Sequence, residues 1–335
     1  MGYFVSDREL VDPDFHDGVV RSFIDELPLQ NAIGRIKGEV VDITQDVEVE
    51  GLPEVYDPAV AEGVDFVKAN AQKVNNLVLT QVIEQFRSKG YQVSRLRQKI
   101  KGHNELKGQT AAKKRAVDAR NLALSIERAL SSEQEAATYA ATNGKPITRG
   151  LMNWLQKGAH VVDGVPAALR PVAGYDADVT ALTEALFKAE CIKAKKQVGG
   201  SKLKLLGLVG IDLKVLMSEW LGKATVVNGV SDLVKGKIAL ICDEYEWDGV
   251  AIKSICDDNL LAKTSGAQAM QMVAAGYLSG AFIRPEMWGV QTLEPITHYE
   301  TSDDGAGPGG YHDASLRLTC LNPMGQFRVK HVVAG

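Results

Sequence analysis

The chain has 335 residues, 45% of them hydrophobic and 24% charged, and carries a formal net charge of −4 at pH 7. That is an ordinary globular composition, long enough for two domains or for one domain with extensions. No apolar run approaches the roughly 20 residues of a membrane helix, the start MGYFVSDREL lacks the basic and apolar regions of a signal peptide, and the cysteines form no CxxC pair. A membrane span, a secretory leader and a disulfide scaffold are therefore not expected, and Cys191, Cys242, Cys256 and Cys320 read as reduced structural thiols of a cytosolic compartment.

The small net charge hides a polarity. Residues 1–65 carry 16 acidic and 4 basic residues, residues 66–130 carry 14 basic and 4 acidic ones, and the remainder is close to neutral. Such asymmetry fits either a nucleic-acid surface masked by an acidic arm or self-association between opposite patches. The overall acidity favours self-association.

Residues 1–36 read as an arm. Acidic residues crowd a segment with too few apolar side chains for a core, so it must dock on another surface. From Gly38 the period becomes two: Val41, Ile43, Val47 and Val49 alternate with polar residues, which predicts a strand. A polar excursion with Gly51, Pro53, Pro58 and Gly63 follows, then strand-like runs at 74–86 and 90–100. Together these make a long hairpin with a broad tip, marginal in water without a partner surface.

A basic helix is predicted over 105–130, with Ala119, Leu122, Ala123, Ile126, Ala129 and Leu130 on one apolar stripe. At 1.5 Å per residue it is a rod of about 39 Å, long for a globular domain. Lys113, Lys114, Arg115, Arg120 and Arg128 charge it, opposed within the rod by Asp118 and Glu127. Thr148 is a candidate cap for a short helix holding Leu151, Met152, Trp154 and Leu155. A second clear helix starts near Asp178 or Thr180 and ends at Gly199 and Gly200. An apolar strand over 203–210 and a short helix at DLKVLMSEWL follow, with Asp212 as a candidate cap. Residues 237–242 and 249–256 read as paired strands joined by acidic 243–248. The tail returns to strands at 288–299, 315–321 and 326–333.

Nothing in the chain reads as catalytic machinery. The glycines of 305–310 lack a Walker lysine and precede a strand, the six histidines show no metal-ligand spacing, and no GxSxG elbow is present. Catalytic, metal and cofactor sites are expected to be absent. Lys113–Arg115 could touch phosphates, yet the helix has no interleaved aromatic for base stacking.

The order of arm, extended hairpin, long helix, α+β unit and returning strands resembles the major capsid proteins of tailed bacteriophages, which share the Hong Kong 97 fold. The phrases ARNLALSIERAL at 119–130, GKPITRGLMNWL at 144–155 and SLRLTCLNPMGQFRVKHV at 315–332 resemble a subgroup of major head proteins. The resemblance implies an α+β fold with an N-terminal arm at 1–36, an extended loop at 37–93, a peripheral domain at 94–160 and 290–335 around the spine helix, and an axial domain at 161–289. It implies a shell of pentamers and hexamers in the virion, assembled in the host bacterial cytoplasm around double-stranded DNA that is held non-specifically. A separate scaffolding protein, a portal and decoration proteins are the further partners it brings; no long charged pro-segment precedes the arm, so no fused scaffolding domain is expected. Lysine–asparagine crosslinking, as in some relatives, is not expected of Lys68 or Lys73 with Asn322.

Under this reading the opposite charges meet across subunits, and the candidate contacts are Asp12, Asp14, Asp17, Glu54, Asp57, Lys68, Lys73, Lys113, Lys114, Arg115, Arg120 and Arg128. The alternatives are an encapsulin-like nanocompartment shell and a nucleic-acid-binding protein using the basic helix.

Overall fold

The computed structural model describes residues 27–36, 42–50, 76–94, 109–141, 144–157, 165–177, 182–200, 202–228, 244–247, 249–257, 260, 262–263, 270–271, 277–301 and 307–332. A short helix α1 (Pro28–Ala32) leads into strand β1 (Gly34–Arg35). Strands β2 (Thr44–Glu50) and β3 (Asn76–Val82) form an antiparallel hairpin, with Thr44 opposite Val82 and Glu50 opposite Asn76. The predicted run at 74–86 breaks at Ile83, and its second part, β4 (Glu84–Arg87), leaves the hairpin to pair with the tail, as does β5 (Tyr91–Gln92). The hairpin is thus two strands, and the third run joins a different sheet; residues 95–100 lie outside the described residues.

Helix α2 (Gln109–Ser131) is the spine. The first four residues of the predicted helix, 105–108, lie outside the described residues. Helix α3 (Leu151–Trp154) follows, but its N-cap is Gly150 and no side chain caps it. A Cβ at Gly150 would run into the Ser132 carbonyl oxygen, so only glycine fits there. Thr148 instead turns inward and accepts a hydrogen bond from Leu318 N–H at 3.3 Å.

Strand β6 (Tyr175–Ala177) precedes α4 (Glu184–Val198), whose N-cap is Thr183, beyond the expected Asp178 or Thr180. Then come β7 (Leu203–Val209), α5 (Ile211–Asn228), β8 (Glu244–Trp247), β9 (Val250–Cys256), β10 (Ala262–Lys263), β11 (Met270–Gln271) and β12 (Tyr277–Ile283). Helix α5 is longer than expected, and Asp212 sits in its first turn. The acidic stretch expected to connect two strands is itself a strand: β8 pairs with β9, and expected strand 237–242 lies outside the described residues. The tail supplies β13 (Trp288–Thr301), β14 (Gly309–Cys320) and β15 (Phe327–Val332).

Two larger sheets organise these strands. One has the order β1-β13-β14-β4, with β5 also on β14; the other has the order β6-β15-β12-β7-β9-β8. The last strand therefore lies beside β12 and β6, so the chain from residue 290 onward divides between the two sheets. The apolar side chains form two cores. The first gathers Leu122, Ile126, Leu130, Trp154, Trp288, Leu316 and Leu318 around the spine helix, and takes in Leu208, Ala281 and Ile283 from the second sheet. In the second, Phe187, Phe282, Phe327, Trp220 and Tyr245 are packed between α4, α5 and the six-stranded sheet.

Candidate assembly surface

All six residues of the apolar stripe on the spine helix are buried, so the helix lies on the first sheet along that face. Burying Leu122, Ile126 and Leu130 contributes about 1.5–3 kcal/mol each. The two acids of the helix face inward as well. Asp118 is 8% exposed and Glu127 fully buried, so the outward face is left to the bases.

Each of those acids is tied to a different element. Asp118 Oδ2 lies 2.8 Å from His312 Nδ1 and accepts a short hydrogen bond from the Ser88 hydroxyl. Ser88 Oγ in turn accepts from His312 N–H at 2.9 Å, and Ser88 N–H donates to the His312 carbonyl at 2.9 Å. Because the carboxylate stands between hydroxyl and imidazole, serine gives its proton to aspartate and not to histidine. The trio is a structural knot binding the turn after β4, the spine helix and β14. Nearby, Tyr91 Oη lies 3.0 Å from His298 Nε2. Burial, then the charge of Arg115 and the neighbouring His312, pulls the His298 pKa down to about 4. Burial also lowers His312, against the pull of Asp118. His298 is therefore neutral at pH 7.

Above this knot lies a groove of about 440 Å³, lined by Gly90, Tyr91, Gln92, Lys113, Lys114, Val117, Asp118 and Asn121. Gly90 makes its floor possible: at φ +77° it turns the chain between β4 and β5 in a conformation few other residues adopt. Lys114 Nζ donates to the Gln92 carbonyl at 2.7 Å and closes one end. Lys113 and Arg120 are exposed, on the same side of the helix as Val117, which is 55% exposed. Arg115 and Arg128 are half-buried. Of the candidate contact residues, the five bases of the spine helix are therefore on one rod, and Lys113 and Lys114 share the groove. Asp12, Asp14, Asp17, Glu54, Asp57, Lys68 and Lys73 lie outside the described residues. Among the described residues no group of three His, Cys, Asp or Glu is placed to hold a metal ion.

The family model of the SU10 major capsid protein matches residues 2–330. The chain belongs to that family. It is the major capsid protein of a tailed-phage head, and solved phage capsids share its fold. The asymmetric unit of the cyanophage A-1(L) capsid aligns over 100% of this chain and 96% of its own, at 12% identity and a TM-score of 0.58. The capsid of cyanophage P-SCSP1u aligns over 90% and 86%, at 12% identity and a TM-score of 0.52. The capsid of a native GTA particle aligns over 92% and 91%, at 11% identity and a TM-score of 0.53. None of the curated proteins compared with the chain matches it. The family is a structural one, and neither the nanocompartment nor the nucleic-acid-binding reading is favoured.

In this capsid protein the hairpin is rooted in the chain's own first sheet. Arg317, 1% exposed on β14, donates to Gln291 Oε1 from Nε at 3.0 Å and to Gln45 Oε1 from Nη2 at 2.6 Å. Gln81 Nε2 donates to the Cys320 carbonyl at 2.7 Å. Each strand of the hairpin is thus held once by β14. The two sheets are joined by Arg328 of β15, which forks onto Asp176 at 2.9 and 3.1 Å and reaches Glu133, just past the spine helix, at 2.9 Å. Lys330 Nζ holds the other Glu133 oxygen at 2.9 Å. Sequence reading did not find Arg317, Arg328, Glu133 or Glu127. Period two puts Arg317, between Leu316 and Leu318, and Arg328, between Phe327 and Val329, on the face opposite the apolar one, so only Glu127, one turn from Ala123 on the apolar stripe, carried a signal.

Proposed function

We propose that copies of this capsid protein build the pentamers and hexamers of an icosahedral shell by laying an acidic segment of one copy into the basic groove of the next. Residues 1–36 serve as the arm and 37–82 as the extended loop; 83–160 with 288–320 make the peripheral domain, and 161–287 with the last strand, β15, make the axial domain. The observation that carries the proposal is the one-sided charge of the spine helix. With Asp118 and Glu127 turned inward, its outer face presents Lys113 and Arg120 beside an open groove, while residues 1–65 hold 16 acids against 4 bases. Heterologous contacts of this kind close into rings, and interlocked arms bury more area than the chain can bury within itself. The shell assembles in the host cytoplasm, encloses double-stranded DNA without sequence preference, and works with a separate scaffolding protein, a portal and decoration proteins.

Charge reversal tests this. Lys113→Glu with Lys114→Glu is expected to leave a folded chain that no longer forms shells, seen by size-exclusion chromatography and negative-stain microscopy. Adding Asp12→Lys, Asp14→Lys and Asp17→Lys, or Glu54→Lys and Asp57→Lys, should restore assembly with whichever segment fills the groove. Wild-type shells from the lysine double variant would overturn the assignment.

A further inference from the structure

Glu127 is the buried acid that the assembly reading leaves without a role. It is 0% exposed, in the last third of the spine helix, and its two oxygens face the root of the arm: Oε1 accepts from Leu29 N–H at 2.7 Å and Oε2 from Gln30 N–H at 3.4 Å. Leu27, Leu29 and Ile33 are buried around it in the first core, and Ile36 N–H bonds the Val290 carbonyl at 3.2 Å just beyond. The carboxyl group is thus the polar link within an otherwise apolar seat.

No ion pair balances it among the described residues. Pro28–Ala32 contains no ionisable side chain, and neither do the helix positions one turn away, Ala123, Leu124, Leu130 and Ser131. The ionisable group acting on it is another acid, Asp257, 1% exposed just after β9 in the second sheet. A buried carboxylate with no cation and a like charge nearby is costly when ionised and much less so when protonated.

We propose that Glu127 is a proton-operated clasp that sets how firmly the root of the arm is held on the spine helix. Neutral, the acid keeps a carbonyl oxygen for the Leu29 N–H and brings no charge among the leucines. On losing its proton to solvent it becomes an uncompensated charge facing Asp257, and the strain is relieved by admitting water, which requires the Leu27–Gln30 turn to lift. Burial, then Asp257, raises the Glu127 pKa to about 8, against the pull of the Leu29 and Gln30 donors, so the change falls within reach of mild alkali. The idea rests on residues 1–36 acting as the assembly arm.

Hydrogen exchange of the full-length protein, read by mass spectrometry on peptides covering 27–36, tests it in the unassembled chain. After correction for intrinsic rates, protection in the wild type should fall about tenfold between pH 6.5 and pH 9. Glu127→Gln keeps an acceptor and cannot ionise, so its protection should stay level over the same range, and Glu127→Leu should be poorly protected throughout. Level wild-type protection, or the same fall in Glu127→Gln, overturns the clasp. Assembly of the same samples, followed separately by particle size, reports on the arm assignment: shells that form normally while protection stays level would sink the clasp and leave the assembly reading standing.

Discussion

The two cores of this capsid protein are built from different materials. The second is aromatic: Phe187 meets Trp220, Tyr245, Phe282 and Phe327 with ring centroids 5.2 to 6.1 Å apart, and Phe282 stacks on Phe327 at 4.7 Å. The first is apolar too, but it is threaded with buried charge. Asp118, Glu127, Glu133, Arg317 and Arg328 are each less than a tenth exposed, and each fastens one chain segment to another. A core of rings is sensitive to lost volume, though α4 also buries Glu190, which accepts from Gly174 N–H at 2.9 Å. A core of buried charges specifies which segments meet and responds to protons. The part of the molecule that anchors residues 27–36 and the hairpin is the part that carries the buried acids Glu127 and Glu84.

The sharpest test of the aromatic side is Phe187→Ala. It removes the ring that four others touch, and should cost about 4 kcal/mol, with the same loss at pH 6 and pH 9. Chemical denaturation of the unassembled chain measures it; a strong pH dependence would show that the contrast between the cores is false.

On the charged side, Arg328→Met should cost about 3 kcal/mol, because it leaves Asp176 and Glu133 facing each other across the junction of the two sheets. Lys330 still holds one Glu133 oxygen, which keeps the loss below that of a fully stranded pair. Asp176→Asn in the same chain should recover part of it. Loss of cooperativity, as two separate unfolding transitions, would show that Arg328 does more than stabilise: it would be the tie that makes two sheets one folding unit.

How much of this was readable differs between the same two regions. The spine helix was legible because its stripe is a long, regular period, and all six of its residues are buried. The hairpin was legible in β2 and β3 for the same reason. What the sequence hid was partnership. Period two places Phe327 and Val329 inward but does not say which strand lies beside them, and the last strand joined the second sheet. In β8 the period was present, with Tyr245 buried between Glu244 and Glu246, yet the acids made it read as a connection. Glu127 read as one of two acids that lower the charge of a basic helix. Only its burial against Leu29 reveals it as a link to the Pro28–Ala32 helix, and no local pattern spans 98 residues.

The smallest expected effect belongs to Glu84, and it separates pH response from simple burial. Its Oε2 accepts from Gln134 Nε2 at 2.8 Å and from Thr148 N–H at 3.1 Å. Burial raises its pKa from 4.5 to about 7, against the pull of these donors and of Lys145. A raised acid binds its proton more tightly when folded, so its contribution to stability is complete below pH 4.5 and is lost as pH rises through about 7. Glu84→Gln keeps an acceptor for both donors and never ionises. It should therefore match the wild type at pH 4.5 and exceed it by about 1 kcal/mol at pH 8. Combined with Glu127→Gln, the gain should be larger throughout and keep growing from pH 7 to about pH 8, where the Glu84→Gln gain has already levelled off, since the second acid titrates about one unit higher. If the double variant shows no further gain there, the two acids do not act as independent proton sites, and the charged core titrates as one coupled network.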